Sequence, residues 1–169
     1  MEAAEVSQLF GLVPLPVEGG FFRQIWRSPP NAERPDGTAI IALLTDAPDG
    51  FSQMHRLAVD ELWHFYVGDP IELVLLTADG SSRHVRLGTD LASGQRPVHV
   101  VPAGTWMAAR TTGRWSLFGN TMAPGFTNDA YEGAEVDELV AGWPAEQEAI
   151  EALTRRGSPR RMQDAGGLV

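Results

Sequence analysis

The chain contains no cysteine. That excludes disulfides, a thiolate nucleophile and any metal site with a Cys ligand. A cysteine-free chain fits a reducing compartment, so a cytoplasmic location is the expectation. Basic residues are few: 13 Lys and Arg stand against 22 Asp and Glu, giving a net charge of -9 and a pI near 4.8. A surface of that sign repels phosphate backbones, so no nucleic-acid partner is expected. The sequence has no apolar run approaching the ~18 residues of a membrane span, so no membrane partner is expected either. The opening MEAAEVSQLFGLV starts with an acid and lacks the basic-then-apolar layout of a secretory signal. Two catalytic signatures are also missing. There is no GxxxxGK[ST] phosphate loop and no GxSxG nucleophile elbow, so acyl transfer has no support.

Turn formers are abundant, with 18 Gly and 12 Pro among 169 residues. Hydrophobic residues make up 43%, enough for one domain with a sizeable core. Residues 3–10 predict a short amphipathic helix ended by Gly11. Short apolar or alternating runs then follow at close spacing: FFRQIWR (21–27), TAIIALLT (38–45), 51–55, 60–67, IELVLLT (71–77), SRHVRLG (82–88), PVHVV (97–101), TWMAART (105–111) and WSLFGNTMA (115–123). Asp79-Gly80 between two such runs signals a hairpin. This spacing predicts an all-β sandwich or barrel, not βαβ units. Residues 145–156 predict a C-terminal helix, with Pro144 in its first turn and Gly157 as its cap. The expected organisation is one domain over 1–157 and a flexible tail over 158–169.

The stretch HRLAVDELWHFYVG (55–68) carries the chemistry. His55, Glu61 and His64 are candidate catalytic residues, because imidazole and carboxylate shuttle protons and also ligate divalent metals. Period-2 alternation puts Trp63 and Phe65 on the side of Glu61 and His64 on the other, unless a bulge intervenes. A carboxylate in an apolar barrel has a raised pKa and serves as acid or base near neutrality. Trp63, Phe65, Trp106 and Met107 are candidate ligand-binding residues, either as pocket walls or as barrel filling. Phe22, Trp26 and Trp115 are further aromatics, with Trp26 and Trp115 favoured as filling. Arg23, flanked by aromatics, is either an anion anchor or a solvent-facing strand residue. His84 and His99 read as surface or hydrogen-bonded structural residues.

Glu61 and Gly68 lie seven residues apart, and Pro102-Ala103-Gly104 follows 34 residues after Gly68. These runs resemble the two half-motifs of cupins, with His55 at the first histidine. Leu57 and Met107 stand where that pattern has its second and third histidines. The phrases LFGLVPLPVEGGFFRQIWRS, FSQMHRLAVDELWHFYVGDPIELVLL, LGTDLASGQRPVHVVPAGTWMAA and GNTMAPGFTNDAYEGAEVDEL are together similar to the DUF985, or cupin-5, family. That resemblance implies a double-stranded β-helix (jelly roll), a homodimer, a small-molecule ligand and kinship with dTDP-4-dehydrorhamnose 3,5-epimerases. It marks Arg23, His55, Glu61 and His64 as recurring polar positions and implies no cofactor. The function that follows is a metal-independent isomerase, epimerase or lyase acting on a small, sugar-like compound. The alternatives are a ligand-binding cupin without catalysis, and a metal-dependent cupin using His55, Glu61 and His64.

Overall fold

Strands dominate because β-branched and aromatic residues alternate with polar ones between closely spaced turns. The computed structural model of the chain describes residues 1–29 and 34–163. Helix α1 (Ala3–Phe10) comes first, begun by the Glu2 amide donating to Glu5 and ended by Gly11 at φ 60°. Eleven strands follow: β1 (Val13–Pro14), β2 (Phe21–Arg27), β3 (Thr38–Thr45), β4 (Ser52–Leu57), β5 (Glu61–Gly68), β6 (Ile71–Leu76), β7 (Ser82–Leu87), β8 (Val98–Val101), β9 (Trp106–Thr111), β10 (Trp115–Met122) and β11 (Tyr131–Gly133). Helices α2 (Val136–Gly142) and α3 (Gln147–Ala152) end the regular structure.

The strands form two antiparallel sheets, in the orders β1-β2-β3-β10-β5-β8 and β11-β4-β9-β6-β7. The architecture is all-β, as the strand spacing predicts, and it is the jelly roll that the family resemblance implies. Between the sheets lies the main core, built on Trp63, Phe65, Leu73, Met107, Phe118 and Tyr131. The outer face of the second sheet is also apolar, and it needs a cover. Helices α2 and α3 supply it, with Leu139, Ile150 and Leu153 packing on Met54, Leu76 and Trp106. Helix α1 covers part of the first sheet's outer face, with Val6 and Leu12 against Ile41, Leu43 and Leu117. Truncating a fully buried member such as Leu43 to alanine costs about 2–5 kcal/mol.

Helix α1, strands β2 and β3 and the β6–β7 hairpin fall where the sequence pattern places them. The C-terminal helical region differs. A helix over 136–142, with no strong sequence signal, precedes a 3-10 turn over Pro144–Glu146, and α3 stops at Ala152 rather than at 156. It stops because Leu153 turns aside to accept a hydrogen bond from the Met54 amide at 2.7 Å. Gly157 keeps a left-handed φ of 74° but caps no helix. Residues 158–163 are tied down by Arg160, whose carbonyl accepts from the Gly133 amide and whose guanidinium pairs with Glu132 and Glu138. Residues 164–169 of the expected tail lie outside the described residues. No described helix is long and apolar enough to cross a membrane.

Candidate functional site

Strand parity decides which side chains reach the interior. On β5, Glu61, Trp63 and Phe65 are buried inside, and Leu62 and His64 point outward. A bulge does interrupt β5, but it falls between its partners Leu117 and Phe118, opposite Tyr66 and past His64. It therefore leaves His64 outside, with its Nε2 3.2 Å from Thr121 Oγ1. On β4 the inward residues are His55 and Leu57, and His55 lies directly across from Met107 of β9.

His55 is 1% exposed. Its Nδ1 lies 2.7 Å from the Gln53 carbonyl oxygen, which can only accept, so Nδ1 carries the hydrogen. Nε2 is then the ring nitrogen left to take up or release a proton. Tyr131 stacks on the ring with centroids 5.0 Å apart. Nε2 faces the Glu18 carboxylate at 3.9 Å, a gap too wide for a hydrogen bond. Glu18 is fixed in turn by the Ser52 hydroxyl, which donates to it at 2.7 Å.

Glu61 is buried, and Trp63 Nε1–H donates to its Oε2 at 2.8 Å. Burial, with a smaller contribution from the Glu18 charge, pushes its pKa up to about 8, against partial relief from the Trp63 bond. Glu61 therefore carries a proton at neutral pH and acts as a donor. The neighbouring Asp60 is exposed and accepts from the Ala103 amide at 2.8 Å. It docks the Pro102-Ala103-Gly104 turn onto the β4–β5 loop, so its role is structural. The same core holds two buried polar atoms without a hydrogen-bond partner, Asn120 Nδ2 and the Tyr131 hydroxyl. Asn120 pairs in register with Trp63. Tyr131 has Gln53 and Glu18 as its polar neighbours, and burial raises its pKa.

Of the candidates read from the sequence, the structure buries His55, Glu61, Trp63, Phe65 and Met107, with Glu61 bonded to Trp63 and His55 across from Met107. Three candidates lie elsewhere. Arg23 is exposed, and its guanidinium runs past the end of α1 at Gly11. It does not face the interior, because its register partner Ile41 belongs to the outer-face cluster. Trp106 is buried on the outside of the second sheet, under α2 and α3, with Arg56 4.7 Å from its ring. His64 lies across the sheet from His55 and Glu61, so the metal alternative built on these three residues loses its geometry. Leu57 and Met107 fill two further ligand positions with groups unsuited to a hard divalent ion. No three His, Cys, Asp or Glu side chains among the described residues are arranged to hold a metal. The residues present do not fit one.

Glu18 is the member that the sequence pattern did not single out. Its signal is local: the acid precedes Gly19-Gly20, and both glycines adopt positive φ. Val17 before it also sits at φ 64°, an expensive conformation for a β-branched residue. Such a turn aims Glu18 inward. A cleft of about 430 Å³ on the other side of this turn is lined by Leu15, Val17, Gly19, Ala47, Asp49 and Arg155. None of His55, Glu61 and Trp63 lines it, so the cleft and the buried cluster are separate features of the fold.

Comparison with known proteins agrees with this architecture. A comparison with curated proteins gives no match. Among solved structures, a protein from Shewanella oneidensis is 31% identical over 92% of this chain and 99% of its own, with a TM-score of 0.86. A hypothetical protein from Leishmania major is 24% identical over 92% and 100%, with a TM-score of 0.82. Oxalate decarboxylase from Bacillus subtilis shares the fold at a TM-score of 0.55 and 10% identity, and the match takes in 39% of that enzyme. The family model described as Cupin superfamily (DUF985) matches residues 4–134, and the chain belongs to that family.

Proposed function

We propose that the interior cluster is a metal-independent proton-transfer site acting on a small, polar, sugar-like compound, in an isomerase, epimerase or lyase reaction. One observation carries this: a carboxyl and an imidazole are both buried, with Glu18 acting on each, 3.9 Å from His55 Nε2 and through its charge on Glu61. Burial pushes the Glu61 pKa up to about 8, and the His55 tautomer leaves Nε2 as the nitrogen that exchanges a proton. A base at His55 takes a proton beside a carbonyl, and Glu61 donates to the oxygen that becomes negative. Burial excludes water and strengthens both interactions.

The test is exchange in deuterium oxide. Neutral aldoses and ketoses incubated with the protein are followed by NMR for loss of the proton next to the carbonyl. Exchange with the wild type and none with folded His55→Gln or Glu61→Gln is the expected result. No exchange by the wild type across the panel would sink the proposal.

The unpartnered Asn120 amide and Tyr131 hydroxyl favour a second reading, a ligand-binding cupin without turnover. A bound hydroxylated molecule would satisfy both atoms. Native mass spectrometry showing a co-purified compound, with no exchange, would select it.

A second copy of the chain is the proposed partner. Strand β8 is a sheet edge, and around it Tyr66, Val67, Val98 and Val100 are each about half exposed on the outer face. Light scattering on the wild type should give a dimer, and Val98→Lys with Val100→Lys a monomer.

A further inference from the structure

The side chains that aim the candidate acid–base residues come from the far end of the chain. After α3, Arg155 reaches back over the turn that carries Glu18. Its Nη1 donates to the Glu18 carbonyl at 3.1 Å and to the Val17 carbonyl at 3.4 Å. Its Nη2 donates to the carbonyls of Asp49 and Phe51, and its Nε to the Asp49 carboxylate. The guanidinium also lies 4.3 Å from the centre of the Phe51 ring. All three nitrogens are thus spent on framing the turn, and none is left for a ligand. Gly19 leaves the room for this: a Cβ there would lie 2.5 Å from the Phe51 carbonyl oxygen and run into the guanidinium.

Gln53 completes the frame. Its side-chain oxygen accepts from the Arg155 amide, and its Nε2 donates to Val17 O at 2.7 Å and Ser158 Oγ at 2.8 Å. Its own amide donates to Glu18 O at 2.9 Å. Its carbonyl fixes the His55 tautomer. One residue therefore touches the strap, the turn and the histidine. The strained Val17 peptide is held by two donors at one carbonyl, which is what such a conformation needs to persist.

We infer that the segment Leu153–Met162 is a strap, and that Arg155 is a positioning residue that sets Glu18 against His55. Met162, at the far end of the strap, packs on the main core. The inference rests on the acid–base reading of the same cluster, but it is tested without substrate. The titratable or charged groups facing this region are Glu18, Asp49, His55, Glu61, Tyr131 and Arg155. Lysine cannot replace Arg155, because a single ammonium cannot span carbonyls on both sides of the turn.

The experiment titrates the Glu61 carboxyl by carbon NMR in the full chain, with circular dichroism to verify folding. Glu18→Gln should move the Glu61 midpoint down, because it removes a neighbouring charge. Arg155→Ala should move it down by a similar amount, because Glu18 is no longer held, and Arg155→Lys should recover only part. An unmoved midpoint in folded Arg155→Ala overturns the strap, as does an unmoved midpoint in Glu18→Gln. Should Arg155→Ala fail to fold, Arg155→Lys combined with Ser158→Ala carries the same expectation and the same refutation. Absence of turnover by the wild type would count against the acid–base reading alone, because these titrations would stand regardless.

Discussion

His55 and His84 both have carboxylates for company, and the carboxyl groups of the two clusters are pushed in opposite directions. His55 lies inside the barrel 3.9 Å from Glu18, whose charge also acts on Glu61. His84 lies on the outer face of the second sheet, 2.9 Å from Glu146 and 3.3 Å from Glu72. Outside, hydrogen bonds win: Glu146, foremost, and Glu72 raise the His84 pKa. Glu146 is lowered, chiefly by the Ser82 hydroxyl and His84. Inside, desolvation wins and a carboxyl keeps its proton. The same residue types give an ion cluster in one place and a proton-holding carboxyl in the other. Burial and the direction of the fixed donors decide which.

The sharpest way to break this comparison is Glu61→Gln. The folded Glu61 pKa is raised from 4.5 to about 8, so between those values the folded chain holds a proton that the unfolded chain has released. Stability therefore falls as pH rises through that window. Glutamine keeps the Trp63 bond and never ionises. Its stability advantage over the wild type should grow from pH 4.5 to 8, reaching several kcal/mol at ~1.4 kcal/mol per unit. Urea melts at the two ends of the window measure it. An equal difference at both ends would mean that Glu61 is not held neutral.

Trp63→Phe comes next in size. It removes the one hydrogen bond that favours the Glu61 carboxylate, so the Glu61 midpoint should rise further. The lost bond to a buried group costs on the order of 1–3 kcal/mol. NMR titration and a melt, read together, separate the two effects.

The smallest effect is expected outside. His84 is 43% exposed, so its pairs contribute at most about 1 kcal/mol after solvent screening. Its raised pKa makes that contribution complete below the ordinary value of 6.5 and lost as pH rises through the folded value. His84→Ala should lower the melting temperature slightly at acid pH, not at alkaline pH, and less in high salt. A large effect independent of salt would mean that the outer cluster is as dry as the inner one.

Much of this arrangement is legible in the sequence because strands enforce parity. Alternation alone puts Glu61, Trp63 and Phe65 together and sends His64 away, and the cupin spacing places His55 opposite Met107. Parity does not say which side of a sheet is the inside. Trp106 is apolar and adjacent to Met107, yet it points into the layer under the C-terminal helices. Both faces of the second sheet are apolar, so period-2 reasoning has no contrast to work with there. Arg23 is likewise a matter of facing: Phe22, not Arg23, turns inward on β2. Glu18 was hidden for a different reason. It belongs to no strand, and what aims it is a guanidinium more than 130 residues away in the chain.

Val17 carries a backbone cost, offset in part by the packing of its side chain on the main core. Glycine would enter its left-handed conformation freely, relieving strain of roughly 1–3 kcal/mol less the extra freedom of the unfolded chain. The exchange would give up the Val17 side chain's packing on the main core. It would also loosen the one turn that decides where Glu18 points. In this chain, ease of the backbone and accuracy of aim are set against each other at a single residue.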